Sequence, residues 1–179
     1  WSVRWWSAAT AGTSAASAQN FSMAPEQSQW AAAEWVGGGN QLRSDFSLAS
    51  APVSATLCVA GLGLAQPWLN GQRAADHAMG PQSQLYTRVL YTSYDVTAQL
   101  KAGANAMGMM LGGGKYGYLG AWLRNDTDGD YVAFRSLLHV RYADGTQVLG
   151  SKAASWRARE GPVRTADYCE PRIVFVAII

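Results

Sequence analysis

Charge, cysteine and histidine are all scarce in this chain, and each scarcity removes a class of function. Charged residues make up 15% of the 179, and 14 Lys and Arg against 12 Asp and Glu leave a net charge of +2. That balance gives no electrostatic case for a nucleic-acid partner, which would want a clustered basic face. The two cysteines, Cys58 and Cys169, lie far apart with no CxxC pair and no Cys/His cluster, so a structural zinc is excluded. A single disulfide between them stays open, but two thiols are too few to fix the compartment. No stretch approaches the 18 apolar residues of a membrane-spanning helix, so no membrane partner is expected. The two histidines, His77 and His139, stand alone, and no Ser or Cys has a base at recognisable spacing. Nucleophilic catalysis therefore finds no support. His139 lies in an apolar strand pattern and is expected to be a hydrogen-bonded core residue.

What the chain does have is apolar and aromatic bulk. Hydrophobic residues reach 49%, enough to fill the core of one domain. The 8 Trp and 8 Tyr exceed what packing at this size demands. Aromatic rings stack well on flat apolar faces, such as those that sugars present through their axial C–H groups. The chain begins at Trp1 without Met, which is expected of a chain processed or cut from something longer, with any signal peptide out of view. Two N-x-S/T sequons, at Asn20 and Asn125, would matter only in a secreted eukaryotic protein, and location stays open, with secreted or cell-surface among the options.

Residues 1–20 form a first segment. WSVRWW must pack on the body as an edge strand or be covered by a neighbour, while SAATAGTSAASAQN is small, polar and expected to be flexible. Strand-like alternation starts at Leu42, with Leu42, Phe46 and Leu48 at even positions and Ser44 interrupting. Next, VSATLCVAGLGL places Val53, Ala55, Leu57 and Val59 on one face. Asn70-Gly71 is a strong two-residue hairpin signal, and Pro67 in its first arm demands an edge strand or a bulge. YTRVLYTSYDVT reads as a further strand. Asp95 is an N-cap for one short helical turn, DVTAQLKAG, which Gly103 ends. NAMGMMLGGG reads as a buried strand, Asp144-Gly145 as a second hairpin turn, and SWRAR as the last strand. About eight short strands with one brief helical turn predict an all-β fold, a jelly-roll β-sandwich.

Three blocks, EWVGGGNQLRSDFSL, VSATLCVAGLGLAQPWLNGQRAADH and RVLYTSYDVTAQLKAGANAMGMMLGGGKYGY, together resemble the N-terminal β-sandwich domain of bacterial-type α-L-rhamnosidases. The resemblance covers about residues 21–167. Its most specific parts are Gly61-Leu62-Gly63 followed by Leu69-Asn70-Gly71, and Tyr94-Asp95-Val96-Thr97 with Leu100, Gly103 and Asn105. The second block is shared with galactose-binding-like sandwich domains of other glycoside hydrolases. The loops depart from the family: Leu64-Ala65-Gln66-Pro67 replaces an aromatic pair, and Gly112-Gly113-Gly114-Lys115-Tyr116 replaces an Asn and a Trp. Residues 168–179 form an apolar tail. The resemblance implies a parent glycoside hydrolase whose acidic catalytic residues lie in an (α/α)6 barrel outside these 179 residues.

Within them, no pair of carboxyl groups suggests itself for glycoside hydrolysis. Asp45, Asp95 and Asp144 each have a structural place, and Glu160 precedes the turn Gly161-Pro162. The loop NDTDGD carries Asp126, Asp128 and Asp130 at alternate positions, a spacing open either to calcium ligation or to a solvated hairpin loop. Calcium is the one cofactor under consideration. The triglycine 112–114 is no phosphate loop, because Lys115 is not followed by Ser or Thr. A surface set remains: Trp68 and Asn70 at the hairpin, with Lys115, Tyr116, Tyr118 and Trp122 after the triglycine. Aromatic faces with amide and ammonium donors suit carbohydrate, a rhamnose-containing glycan among others. The leading expectation is a non-catalytic sandwich module that binds carbohydrate or supports a catalytic domain. The alternatives are a purely structural domain packed on a neighbour, and a stand-alone lectin-like protein.

Overall fold

The computed structural model describes residues 2–3, 17–18, 23–75, 81, 88–114, 116 and 132–163. Two antiparallel sheets face each other, giving the jelly-roll β-sandwich expected from the alternation. The first sheet runs in the order β11 (Thr146–Gly150), β10 (Ala133–Arg141), β5 (Ser54–Leu62) and β8 (Tyr91–Asp95), with the short β3 (Val36–Gly37) also on β10. The second runs β12 (Arg157–Arg159), β4 (Gln41–Leu48), β9 (Gly103–Gly112), β6 (Leu64–Leu69) and β7 (Gln72–Arg73). A separate two-stranded pairing joins β1 (Ser2–Val3) to β2 (Ser17–Ala18).

Alternation sets which face of each strand enters the core. On β4 the buried positions are Leu42, Ser44 and Leu48; on β9 they are Asn105, Met107, Met109 and Leu111; on β6 they are Ala65, Pro67 and Leu69. Against them pack Leu57 and Val59 of β5, Phe134, Leu138 and Val140 of β10, and Tyr94 of β8. Ser44 therefore continues the buried face rather than interrupting it. Val53 does not belong to that face: it is 52% exposed and precedes β5, which starts at Ser54.

The turns follow their chemistry. Asn70 (φ 50°) and Gly71 (φ 84°) are both left-handed, as a two-residue type I′ hairpin requires, and Leu69 pairs with Gln72 across them. On the β7 side the ladder ends at Trp68, and beyond it the Pro67 carbonyl accepts the Ala74 N–H at 3.0 Å, so Pro67 serves the edge as an acceptor and its missing N–H costs no ladder bond. Asp95 accepts from the backbone N of Thr97 at 3.0 Å and from its hydroxyl at 2.7 Å, which opens a 3-10 turn, Thr97–Gln99. Gly103 opens β9 instead of closing a longer helix. Residues 142–145 connect β10 to β11, with the Tyr142 N–H donating to Gly145 O.

One helix was not expected: α1 (Gln27–Ala31), which carries a Glu26/Gln29 capping box. It lies on the outer face of the first sheet, where Trp30 and Ala33 cover Cys58, Leu137 and Tyr91. Cys58 is buried, with Sγ 3.3 Å from the Ser93 hydroxyl. Cys169 and His77 lie outside the described residues. His139 is not the hydrogen-bonded core residue anticipated: it faces outward from β10, and its buried Nε2 has no partner among the described residues.

Candidate functional site

The outward face of the second sheet carries a trough. Its residues are those left outside by the alternation that buries Leu42, Ser44, Met107, Met109, Pro67 and Leu69. Register brings them into one row: Arg157 lies opposite Arg43, Arg43 opposite Gly108, Gly108 opposite Trp68, and Trp68 opposite Arg73. The next row runs Arg159, Gln41, Met110 and Gln66. Gly108 supplies no side chain between Trp68 and Arg43, so the floor there is backbone, and a Cβ at Gly108 would stand 3.5 Å from that of Trp68. The resulting hollow measures about 460 Å³. A shallower one of about 140 Å³ continues it past Gln41 and Met110 toward Gly112 and Val163.

Polar groups on the trough are partly tethered. Arg43 donates from Nε and a terminal nitrogen to one Asp45 oxygen, at 3.0 and 2.8 Å, and Arg157 donates to the other. The Arg43 guanidinium, and then Arg157, hold the Asp45 carboxyl below its ordinary range. Arg159 donates from Nε to the Gln41 side chain at 3.1 Å. The indole N–H of Trp68 is buried and has no hydrogen-bond partner among the described residues.

Asn70 stands two residues along from Trp68, yet its amide is committed. Nδ2 donates to Gln99 O at 2.8 Å and to Asn105 Oδ1 at 2.9 Å, and Oδ1 accepts from the Ala106 N–H at 2.9 Å. Asn70 therefore pins the hairpin tip and has little left to offer a ligand. Tyr116 is half-buried beyond the end of β9. Lys115, Tyr118 and Trp122, together with Asp126, Asp128 and Asp130, lie outside the described residues. Among the described residues no group of three or more His, Cys, Asp or Glu could hold a metal ion.

Glu34, Asp45 and Asp95 have structural partners. Glu34 receives the Ala153 N–H at 2.9 Å and Lys152 at 3.1 Å, which together lower its pKa, and Asp95 is held low by Thr97. The arginine row escaped the sequence reading. Its one signal was the position of Arg43, Arg157 and Arg159 on the outward phase of their strands; their adjacency depends on register between distant segments.

With this geometry in place, the comparisons with known proteins are informative. The profile of the α-L-rhamnosidase N-terminal domain matches residues 50–171, more than half of the sequence. The chain belongs to that family. An α-L-rhamnosidase of Formosa agariphila is 34% identical over 128 residues, covering 68% of this chain and 13% of that protein. One of Streptomyces avermitilis is 35% identical over 146 residues, covering 77% of this chain and 14% of that protein. The solved structure of a Streptomyces avermitilis α-L-rhamnosidase complexed with L-rhamnose superposes with a TM-score of 0.61 at 34% identity, covering 71% of this chain and 12% of that one. The rhamnosidase N-terminal domain described here thus spans about a seventh of the length of the curated relatives it matches. The block EWVGGGNQLRSDFSL precedes the matched residues but supplies β3 and β4 of the sandwich.

Proposed function

We propose that this domain is a non-catalytic carbohydrate-binding module of an α-L-rhamnosidase-like glycoside hydrolase, and that the sugar lies in the trough beside Trp68. The observation that carries the reading is the pairing of a half-buried indole with an open backbone floor at Gly108, rimmed by guanidinium and carboxamide groups. A saccharide site needs an apolar platform together with hydrogen-bonding groups that match its hydroxyls. From sequence alone, Lys115, Tyr116, Tyr118 and Trp122 join the same proposal as a second aromatic group, and Asp126, Asp128 and Asp130 as calcium ligands. The relative solved with L-rhamnose makes that sugar the first ligand to try.

The test is thermal melting of the chain with L-rhamnose and with rhamnosylated oligosaccharides, each with calcium and with a chelator. Ligand at ten times its Kd stabilises the folded state by about 1.4 kcal/mol, a rise of about 3–6 °C for a domain of this size. The rise is expected in the native chain and lost in Trp68→Ala. No shift with any of these sugars at millimolar concentration would remove the binding reading.

A second reading is favoured by the small share of each relative that the chain covers, 13% and 14%. In it the domain supports a catalytic neighbour and the trough is an interdomain contact. A chain that binds no saccharide but associates with a separately produced catalytic domain would favour this reading.

A further inference from the structure

We propose that the trough selects anionic saccharides, those bearing a carboxylate or a sulfate ester, over neutral ones. This rests on the carbohydrate reading above and names the class of ligand within it. The whole chain has a net charge of only +2, yet one row across the sheet holds Arg157, Arg43 and Arg73, with Arg159 at the outward position beyond Arg157. Among the described residues no carboxylate lines the hollow itself, and Asp45 beside it is the counter-charge to Arg43 and Arg157. Among the described residues, four guanidinium groups therefore share that face of the sheet with one tethering carboxylate.

The arginines retain donors for a ligand. A guanidinium carries five N–H donors. Asp45 takes two from Arg43 and one from Arg157, while Gln41 takes one from Arg159. The Arg43 and Arg157 side chains are 63% and 75% exposed, so meeting a ligand needs no unfolding. Asp45 holds both at one edge of the trough, which limits the side-chain freedom that a ligand would otherwise have to freeze. The planar fork of arginine matches the paired oxygens of a carboxylate or a sulfate.

The indole lies on the opposite side of the Gly108 floor. Two strand spacings separate β4 from β6, roughly 10 Å. A sugar ring stacked against Trp68 can thus direct a charged substituent toward Arg43 and Arg157. A neutral sugar would use the same platform but offer the guanidinium groups only hydroxyl acceptors, which make weaker hydrogen bonds than charged oxygens. Long polyanions without sugar rings suited to the platform would meet the charge alone.

The experiment is calorimetric titration of the full 179-residue chain with an oligouronide, the same oligosaccharide after carboxyl reduction, a sulfated neutral oligosaccharide and a short single-stranded oligonucleotide. Expected is affinity for the oligouronide, the sulfated sugar or both that is roughly tenfold or more above that for the reduced sugar, falling as salt rises. Which of the two binds identifies the anion as carboxylate or sulfate ester. Arg43→Gln and Arg157→Gln should each weaken that binding roughly tenfold and weaken binding of the neutral sugar far less, because a hydroxyl acceptor loses less than a charged one, and Trp68→Ala should weaken both. Equal affinity for charged and reduced sugars, or unchanged binding in both arginine variants, overturns the anionic selectivity and leaves the carbohydrate reading standing. Equal binding of the oligonucleotide also overturns it, since the trough would then be reading charge alone. Failure of every saccharide overturns both readings together. The salt dependence of the native chain keeps the test decisive should either arginine variant prove unstable.

Discussion

The carboxamide of Asn70 donates from Nδ2 to Oδ1 of Asn105, 2.9 Å away, and this contact joins the hairpin tip to the buried start of β9. Asn105 is 4% exposed, and its own Nδ2 reaches Lys101 O at 2.7 Å and Gly103 O at 2.9 Å while Oδ1 also accepts from the Lys101 N–H. One buried amide thus satisfies the backbone of the 101–103 turn and positions the β6–β7 hairpin. Asn105→Ala should lower stability by about 2–4 kcal/mol, since it strands several polar groups at once. Asn70→Ala should cost about 1–2 kcal/mol, and the double variant less than the sum, because both lose the same bond. Urea denaturation of the four chains measures this; strict additivity would show that the two residues act independently.

Gly63 is the single residue between β5 of one sheet and β6 of the other, and its φ is +94°. A Cβ there would lie 2.5 Å from Gly112 O and 2.8 Å from Gly113 O, both backbone atoms that cannot swing aside. Gly63→Ala should therefore destabilise by about 3 kcal/mol or more, from left-handed strain and overlap together. Gly145→Ala, where a Cβ meets open space, should stay within about 0.5 kcal/mol. Melting of both variants checks the contrast, and a Gly63→Ala chain as stable as the native one refutes the crossing geometry.

These two glycines also show how far sequence carries. The sandwich was legible because alternation in Leu42 to Leu48 has period two, because the short apolar run Asn105 to Leu111 closes on glycines, and because Asn-Gly dictates its own turn. Alternation has no built-in starting point, so it overruns to Val53, which lies outside β5. Helix α1 has five residues, too few for an amphipathic repeat, and is held instead by contacts that Arg135 makes with the carbonyls of Trp30 and Ala33. The trough was the least legible part. Trp68 drew notice by its chemistry, but Arg43, Gly108 and Arg157 become neighbours only through pairing between segments tens of residues apart. Asn70 drew notice for the same polar amide that the fold has already consumed.

Cys58 is 2% exposed under Trp30 and Ala33, and burial pushes its thiol pKa up against a smaller opposing effect of the Ser93 hydroxyl. The thiolate is the reactive form, so the native thiol should be nearly inert. In a Cys169→Ser background, a disulfide reagent should modify Cys58 at least roughly a hundredfold more slowly in the folded chain than in denaturant. Rapid labelling of the native protein would mean that α1 does not stay on the sheet.

Stability should also fall as pH drops below about 6.5, on account of His139. Its ring lies outward on β10, opposite Thr56 of β5 and Val148 of β11, and burial pushes its pKa below the ordinary 6.5. The unfolded chain takes up a proton near 6.5 while the folded chain resists it, so the unfolded state binds more protons in that interval. The stability tied to a neutral His139 is thus complete above pH 6.5 and is lost as pH falls from there through the folded value. Glu34, Asp45 and Asp95, all shifted downward, lose their contributions only as pH falls from the ordinary carboxylate values of 4.5 and 3.8, and leave this window clear. Urea midpoints of the native chain and of His139→Gln, taken from pH 8 to pH 5, should diverge in slope, with the variant flatter. Glutamine keeps a polar side chain of similar length at the position, so a loss of slope reports the missing proton site. Parallel slopes would assign the pH response to other groups and require that the buried Nε2 accept its proton without penalty.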